Sequence, residues 1–200
     1  MPNCTATTAA FPALKRRLID FDFSGGCVTA NAGVMLLREI DKSMSLTKSV
    51  AAALPDDRNA DRVHHSSESL LRRRVYALAC GEEDLIDHAE LRHDIALQTA
   101  VDSTQTLASV ATMQRFEQRF DRQALKAVHE ILVQQFIDSY DQPPEEIILD
   151  FDATDNRLFG DQEGTHYLHH YRDYCYLPLY VFCGDHLLTA LLRPSSKSGS

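Results

Sequence analysis

Two aspartates that lie two residues apart could form part of a catalytic or metal-binding site. Asp150 and Asp152 occur in the apolar run Ile-Ile-Leu-Asp-Phe-Asp-Ala-Thr, which is bounded by turn signals and has the composition of a β-strand. Because alternate side chains of a strand point to the same face, both carboxylates share one face with Ile148 and Thr154. Unpaired charges are costly to bury, so a cation, a basic partner or water must meet them.

A divalent metal ion is the most specific partner for this pair of carboxylates. Ligand sets made only of oxygen suit Mg²⁺ or Mn²⁺, and two such ions about 3.5–4 Å apart drive in-line displacement at a phosphate. A strand end whose aspartates cap the following loop is the alternative. The residues themselves leave both interpretations open.

Helices are predicted over most of the first 140 residues. Apolar residues recur at helical spacing, and Ser66 or Ser67, Gly81 and Asp121 are suitable helix caps. The predicted helical ranges are 31–42, 46–54, 66–80, two short pieces within 82–102, and 112–140 with a break near Asp121.

Pro143 and Pro144 end the helical pattern, because proline lacks an amide proton and disfavours a helical conformation in the residue before it. Beyond them, a central strand is predicted over 146–154, hydrogen-bonded to a hairpin of two strands over 174–183 and 186–192 that turns at Gly184 and Asp185. The chain is therefore predicted to be α+β, with a domain of residues 1–143 and a second of residues 144–200.

Charge and cysteine usage restrict the classes of function. The formal net charge is −9, so any contact with nucleic acid must use local basic patches. The five cysteines are scattered and form no Cys-x-x-Cys pair, which argues against a disulfide framework and favours a reducing cytoplasm. The uncharged run 174–184 is about half the roughly 20 residues that a membrane-spanning helix needs. No contact with a membrane is expected.

Local basic patches are the candidate DNA contacts. If the helix continued through Asp121, one side of it would carry Arg115, Arg119, Arg122 and Lys126. The clusters Lys15–Arg17 and Arg72–Arg74 are tighter, but consecutive helix residues point in different directions and cannot all follow one phosphate track. A solvated helix face is the alternative for each group.

Histidines and cysteines in the last third of the chain could imitate a zinc site. Their spacing matches no standard zinc finger, and a loop and a hairpin would have to fold tightly together, so zinc is not the favoured interpretation. The residues concerned are His166, His169, His170, Cys175 and Cys183.

Several segments resemble one protein family in the same order along the chain. Together they resemble the bacterial insertion-sequence transposases of the DDE group-one domain, and the similarity extends from about Phe21 to Pro194. The segments are Asn31–Asp41, Leu91–Asp94, Arg115–Glu117, Asp150–Asp155, Gly160-x-x-Glu163-Gly164 and Tyr174–Gly184.

The resemblance implies a ribonuclease-H-like catalytic core whose first strand carries the first of three metal-binding carboxylates. By position in the Asp-Ala-Thr segment that carboxylate is Asp152, with Asp150 beside it, whereas Asp155 fits the motif less well. The resemblance also implies Mg²⁺ or Mn²⁺ as cofactor, and it implies that the helical region serves DNA binding and assembly at the terminal inverted repeats of an insertion sequence. The sequence leaves homodimerisation open.

The second aspartate and the glutamate of the family pattern do not occur in this sequence. The chain is therefore expected to hold only the first three strands of an incomplete core and to be a truncated, inactive transposase. A non-catalytic DNA-binding or regulatory remnant is one alternative. A phosphatase of the haloacid-dehalogenase type, with Asp150 as nucleophile and Asp152 as acid and base, is a distant one, because the further βα units it needs are not predicted.

Overall fold

The computed structural model describes residues 9–14, 17–21 and 28–193, with side chains from residue 28 onward. Two backbone strands, β1 (Ala9–Leu14) and β2 (Arg17–Phe21), pair antiparallel and precede the helices. The side chains of the Lys15–Arg17 cluster and the residues Ser195–Ser200 lie outside the described part. The chain has an α+β fold, as predicted.

Seven α-helices follow within the described residues. Their bounds are α1 Val34–Met44, α2 Leu46–Ala53, α3 Ser67–Ala79, α4 His88–Leu91, α5 Ile95–Ala100, α6 Val110–Glu117 and α7 Arg122–Asp138. Single 3₁₀ turns occur at Ala60–Arg62 and Leu85–Asp87. All of these helices precede Pro143, as the sequence predicts.

Local capping residues explain where the helices begin and end. The Ser66 hydroxyl accepts a hydrogen bond from the Ser69 amide at 3.1 Å, and the Asp121 carboxylate accepts one from the Ala124 amide at 2.9 Å. Gly81 follows α3 with a φ of +91°, a conformation that costs glycine little. The predicted break at Asp121 is confirmed, and it separates α6 from α7.

The helices enclose two apolar clusters. The first lies among α1, α3 and α5, and the second lies among α2, α3, α6 and α7. The first contains Val34, Tyr76, Ala77, Leu91, Ala96, Leu97, Ala100, Val101 and Leu107, and the second contains Val50, Leu54, Leu70, Ala108, Met113, Phe116 and Ala124.

A buried carboxylate joins the first three helices. Asp41 accepts hydrogen bonds from the Thr47 amide at 2.9 Å and the Tyr76 hydroxyl at 3.0 Å, and it lies 3.4 Å from Arg72. Burial raises the pKa of Asp41, but the hydrogen bonds from Thr47 and Tyr76 and the charge of Arg72 outweigh burial and leave the pKa below its ordinary value. Asp41 is therefore a paired structural charge.

Two three-stranded antiparallel sheets follow Pro143. The strands are β3 Asp150–Ala153, β4 Asn156–Arg157, β5 His166–Leu168, β6 Asp173–Tyr176, β7 Leu179–Cys183 and β8 His186–Leu191. One sheet has the order β3-β7-β8 and the other the order β4-β6-β5. The predicted hairpin turn is present at Gly184, where φ is +55°.

Three strand predictions need correction. The strand predicted over 146–154 is shorter, Asp150–Ala153, because the described residues offer 146–149 no pairing partner. It is an edge strand, since β7 lies at the centre of its sheet. The strand predicted over 174–183 is two strands in different sheets that separate at Pro178, which has no amide to continue a ladder.

Helix α7 connects the helical region to the first sheet. The Phe136 and His186 rings meet edge to face with centroids 5.3 Å apart, and His129 Nε2 lies 3.0 Å from the carbonyl oxygen of Ala190.

Within the part of the chain that the structure describes, no helix combines the length and the apolar character needed to cross a bilayer.

Candidate active site

Strand β3 presents Asp150 and Asp152 at the edge of the three-stranded sheet that the described residues form. Both residues are exposed, and they pair across to Phe182 and Tyr180 on β7. Directly paired residues of neighbouring strands project to the same face, so the two carboxylates lie on one face beside the two aromatic rings. The shared face agrees with the prediction from the sequence.

Neither aspartate has an ion-pair partner among the described residues, so a cation could reach both. Carboxylate oxygens are the donors that Mg²⁺ and Mn²⁺ prefer. The number of ligands falls short, however, because the described residues contain no group of three or more histidine, cysteine, aspartate or glutamate side chains that could hold a metal ion. Asp150 and Asp152 therefore fit one part of a divalent-metal site and do not complete it.

Asp155 lies close to the second sheet. Burial raises the pKa of the Cys175 thiol, and the negative charges of Asp155 and Asp173 raise it further. Asp155 is half-buried and precedes the short strand β4. This position, beyond the end of β3, separates it from the shared face of Asp150 and Asp152.

The four basic residues predicted to contact DNA lie on two helices and the break between them. Arg115 is exposed on α6, and its Nε atom donates to the Ala111 carbonyl at 3.0 Å. Arg122 begins α7 and is exposed, while Lys126 is exposed and lies 3.7 Å from Glu130. The condition for a single basic stripe, a helix continuous through Asp121, is not met.

Arg119 forms ion pairs with two aspartates of the helical region. It lies in the break after α6, where its Nη1 atom is 3.1 Å from Asp56 and its Nε atom 3.7 Å from Asp57. Asp56 is also paired with Arg58, whose hydrogen bond is the largest cause of a pKa far below the ordinary value for aspartate. A phosphate would have to displace these carboxylates to reach the Arg119 guanidinium.

The three consecutive arginines of α3 also form ion pairs or hydrogen bonds with other residues of the helical region. Arg72 pairs with Asp41, Glu68 and Asp102, and Arg74 pairs with Glu117. Arg73 is buried and donates to the carbonyl oxygens of Ala108 and His88. The Arg72–Arg74 cluster is therefore part of the packing of the helical region.

The sequence does not reveal the buried cation at Arg73. Burial, and secondly the charge of Arg92, lower its pKa to about 10. The neighbouring His88 ring is fully buried, and neither ring nitrogen has a hydrogen-bond partner within the described residues. Burial and the charges of Arg73 and Arg74 lower the pKa of His88 to about 4, so this imidazole is neutral at pH 7.

The residues considered for a zinc site do not assemble. Cys175 and Cys183 are buried free thiols on strands of different sheets. The rings of His169 and His170 contact tyrosines, Tyr167 at 5.3 Å and Tyr171 at 4.8 Å between centroids. In the described part of the chain, no three histidine, cysteine, aspartate or glutamate side chains lie close enough together to hold a metal ion.

Comparison with known protein families decides the family of this chain. A family model described as transposase DDE domain group 1 matches residues 11–200, which is nearly the whole chain. The chain belongs to this family. Neither a curated protein nor a solved structure matches it.

Membership in this DDE transposase family indicates a role in DNA transposition, and DDE transposases generally use divalent metal ions. The match includes strand β3 and both of its aspartates. It also includes α6 and α7, which carry the exposed basic residues of the helical region.

Proposed function

We propose that the chain is the helical region and the beginning of the ribonuclease-H-like core of a DNA transposase. In this proposal residues 1–143 bind and assemble the terminal inverted repeats of an insertion sequence, and residues 144–200 begin the catalytic domain. The complete activity is metal-dependent strand cleavage and transfer at the ends of the element. The observation that carries the proposal is the family match across the strand that exposes two aspartates on one face.

Asp152 is assigned as the first metal-binding carboxylate, and Asp150 as an accessory ligand. The resemblance centres on the aspartate that precedes the Ala153-Thr154 pair, which is Asp152. Its exposure and the lack of an ion-pair partner among the described residues support the assignment. When bound, Mg²⁺ or Mn²⁺ would stabilise negative charge that develops on phosphate oxygens during strand cleavage.

The 200-residue chain by itself is proposed to be inactive in strand cleavage. Mg²⁺ requires near-octahedral coordination, and two carboxylates on one exposed strand supply too few ligands to hold it in a defined position. Positioning and charge stabilisation supply nearly all of the catalysis in phosphoryl transfer. We therefore assign no catalytic step to these residues alone.

DNA contact is proposed at Arg115, Arg122 and Lys126, the exposed members of the predicted basic group. Arg119 is a weaker candidate because Asp56 and Asp57 hold it. With a net charge of −9, affinity rests on this local patch and should be modest and steeply dependent on salt.

An end-cleavage assay tests the catalytic part of the proposal. Supercoiled DNA that carries candidate inverted repeats is incubated with the 200-residue chain and Mg²⁺ or Mn²⁺, beside the Asp152→Ala variant. We expect no nicking or strand transfer from either protein. Metal-dependent nicking that disappears in Asp152→Ala would refute the proposed inactivity, because the missing ligands would then come from within this chain.

A non-catalytic DNA-binding role is the second candidate function. The incomplete ligand set at β3, together with exposed basic residues on α6 and α7, favours it. Specific binding to an inverted repeat without cleavage would support this role. Equal affinity for any DNA duplex, with no preference for the repeat, would argue against it.

A further inference from the structure

Arg92, which directly follows α4, is a half-buried arginine without a carboxylate partner. None of the nitrogens of its guanidinium has a hydrogen-bond partner among the described residues. Its Nε atom is enclosed by the fold, while its two terminal nitrogens are not. An anion in solution can therefore reach the terminal nitrogens.

The other arginines with similar burial show what the fold normally supplies. Within the described residues of the helical region, every other half-buried or buried arginine except Arg73 forms an ion pair with an aspartate or glutamate. These are Arg38, Arg58, Arg72, Arg74 and Arg119. Asp94, two residues after Arg92, instead accepts hydrogen bonds from the Leu97 amide at 2.8 Å and the Thr29 hydroxyl at 2.7 Å.

Arg92 adds its charge to a region that is already positive. Arg73 is 1% exposed, and its Nε atom also has no hydrogen-bond partner within the described part of the chain. Burial, and secondly the charge of Arg92, lower the pKa of Arg73. Burial, followed by the charges of Arg73, His64, Arg92 and Arg58, lowers the pKa of the half-buried His65. Cations from α3, from the end of α4 and from the loop before α3 therefore lie close together, and a bound anion would offset their repulsion.

The backbone at Arg92 is held in place by two hydrogen bonds. Its carbonyl oxygen accepts one from the Leu107 amide at 3.1 Å and one from the Gln98 side-chain amide at 3.1 Å. The arginine is therefore positioned before a ligand binds, which lowers the entropy lost on binding.

We propose that Arg92 binds a phosphate group of the DNA backbone, beside His65 and the buried charge of Arg73. A guanidinium can donate two parallel hydrogen bonds to phosphate oxygens, which suits it to this role better than an ammonium group. The inference rests on the proposed function, in which the helical region binds DNA. It adds a contact outside the basic group of α6 and α7.

Thermal unfolding tests the anion site without DNA. Inorganic phosphate is compared with chloride at equal ionic strength for the wild type and Arg92→Gln. Binding to the folded state should raise the melting temperature of the wild type by about 2–3 °C more than that of the variant. The general stabilising effect of phosphate acts on both proteins and cancels in this comparison. Equal gains in the two proteins would overturn the proposal.

Fluorescence anisotropy with a labelled DNA duplex at several salt concentrations tests the source of the phosphate. Arg92→Gln should weaken binding by about tenfold and reduce the slope of log affinity against log salt by about 0.9. Arg92→Lys should keep the slope, because the charge remains, but should bind more weakly than the wild type, because the two parallel hydrogen bonds are lost. Arg172→Gln, which removes an exposed arginine between β5 and β6, is the matched control and should bind like the wild type.

The outcomes with DNA separate this inference from the proposed function. A wild type that binds DNA, with an affinity and a salt slope that Arg92→Gln leaves unchanged, would overturn the contact at Arg92 and leave the proposed function standing. A wild type that binds no DNA would overturn both, even if phosphate still stabilised it through Arg92.

Discussion

At the scale of single residues, three neighbouring arginines have three different environments. Successive helix positions point in different directions, so Arg72 meets carboxylates, Arg74 meets Glu117 and Arg73 points into the interior. The buried Arg73 guanidinium donates hydrogen bonds to carbonyl oxygens. Burial, and secondly the positive charge of Arg73, lower the pKa of the neighbouring His88.

Replacing His88 with leucine should make the helical region less sensitive to acid. The folded-state pKa of His88 is about 4, below the ordinary value of 6.5, so the unfolded chain takes up a proton first as the pH falls. His88 is neutral in both states above pH 7, and it favours unfolding progressively below pH 6.5. Between pH 7 and pH 5 this preferential protonation of the unfolded chain should lower the free energy of unfolding of the wild type by about 2 kcal/mol. The His88→Leu variant should not lose this part of its free energy of unfolding.

Urea unfolding at pH 7 and pH 5 measures this difference. The exposed His93, changed to leucine, is the matched control and should keep the pH dependence of the wild type. Equal pH dependence in His88→Leu and the wild type would show that the His88 ring is not held neutral by its surroundings.

Residues that act on their own local backbone could be predicted from the sequence. Ser66, Gly81 and Asp121 cap helices because their chemistry suits an adjacent helix end, and all three were predicted as caps. The burial of Arg73 could not be predicted, because it depends on the Ala108 and His88 carbonyls, which are distant in sequence.

At the scale of the elements, the break between α6 and α7 divides the basic group. Arg115 lies in the last turn of α6, and Arg122 and Lys126 lie in the first two turns of α7, so a DNA strand would be contacted from two helices. Arg119, in the break, instead connects α6 to the loop after α2 through Asp56. Its replacement should lower stability by up to about 1 kcal/mol, as for an exposed ion pair.

Replacing Arg115 and Arg122 with alanine should weaken DNA binding and reduce its dependence on salt. Each phosphate contact that is lost should reduce the slope of log affinity against log salt by about 0.9. Fluorescence anisotropy with a labelled inverted-repeat duplex at several salt concentrations measures the slope. Lys48→Ala, which removes an exposed cation from α2, is the control. A slope that Arg115→Ala and Arg122→Ala leave unchanged would place the interface elsewhere.

The strands show where prediction from sequence ends. The alternation of residues 147–154 correctly predicted that Asp150 and Asp152 share a face, because that depends only on strand geometry. Whether β3 lies at the centre or the edge of a sheet depends on which strands pair with it, and the local pattern holds no information about distant partners. The short strands β4 and β5 have too few residues to show an alternation.

At the scale of the whole molecule, the apolar clusters lie in the helical region, and the β3-β7-β8 sheet contacts that region through α7. The segment 141–149 between them is exposed throughout and has no helix or strand. A connection of this kind is a preferred site of proteolysis. The domain boundary that the sequence predicts at Pro143 and Pro144 falls within this segment.

Limited digestion with a glutamate-specific protease should cut first after Glu145 or Glu146. Mass spectrometry of the early products should show a fragment that ends at one of these residues, while Glu90 in α4 and Glu117 in α6 stay intact. First cleavage within the helical region would contradict the proposed boundary.

The assignment of Asp152 as the first metal-binding carboxylate is tested most directly by Mn²⁺ titration followed by paramagnetic broadening of amide NMR signals. The amides of Asp152 and of Tyr180, which pairs with it, should broaden first. The dissociation constant should be on the order of 1 mM, because the ligand set is incomplete. Asp152→Ala should abolish this broadening, whereas Asp161→Ala, at another exposed aspartate, should retain it. Broadening that persists in Asp152→Ala, or that never appears at β3, would contradict the assignment.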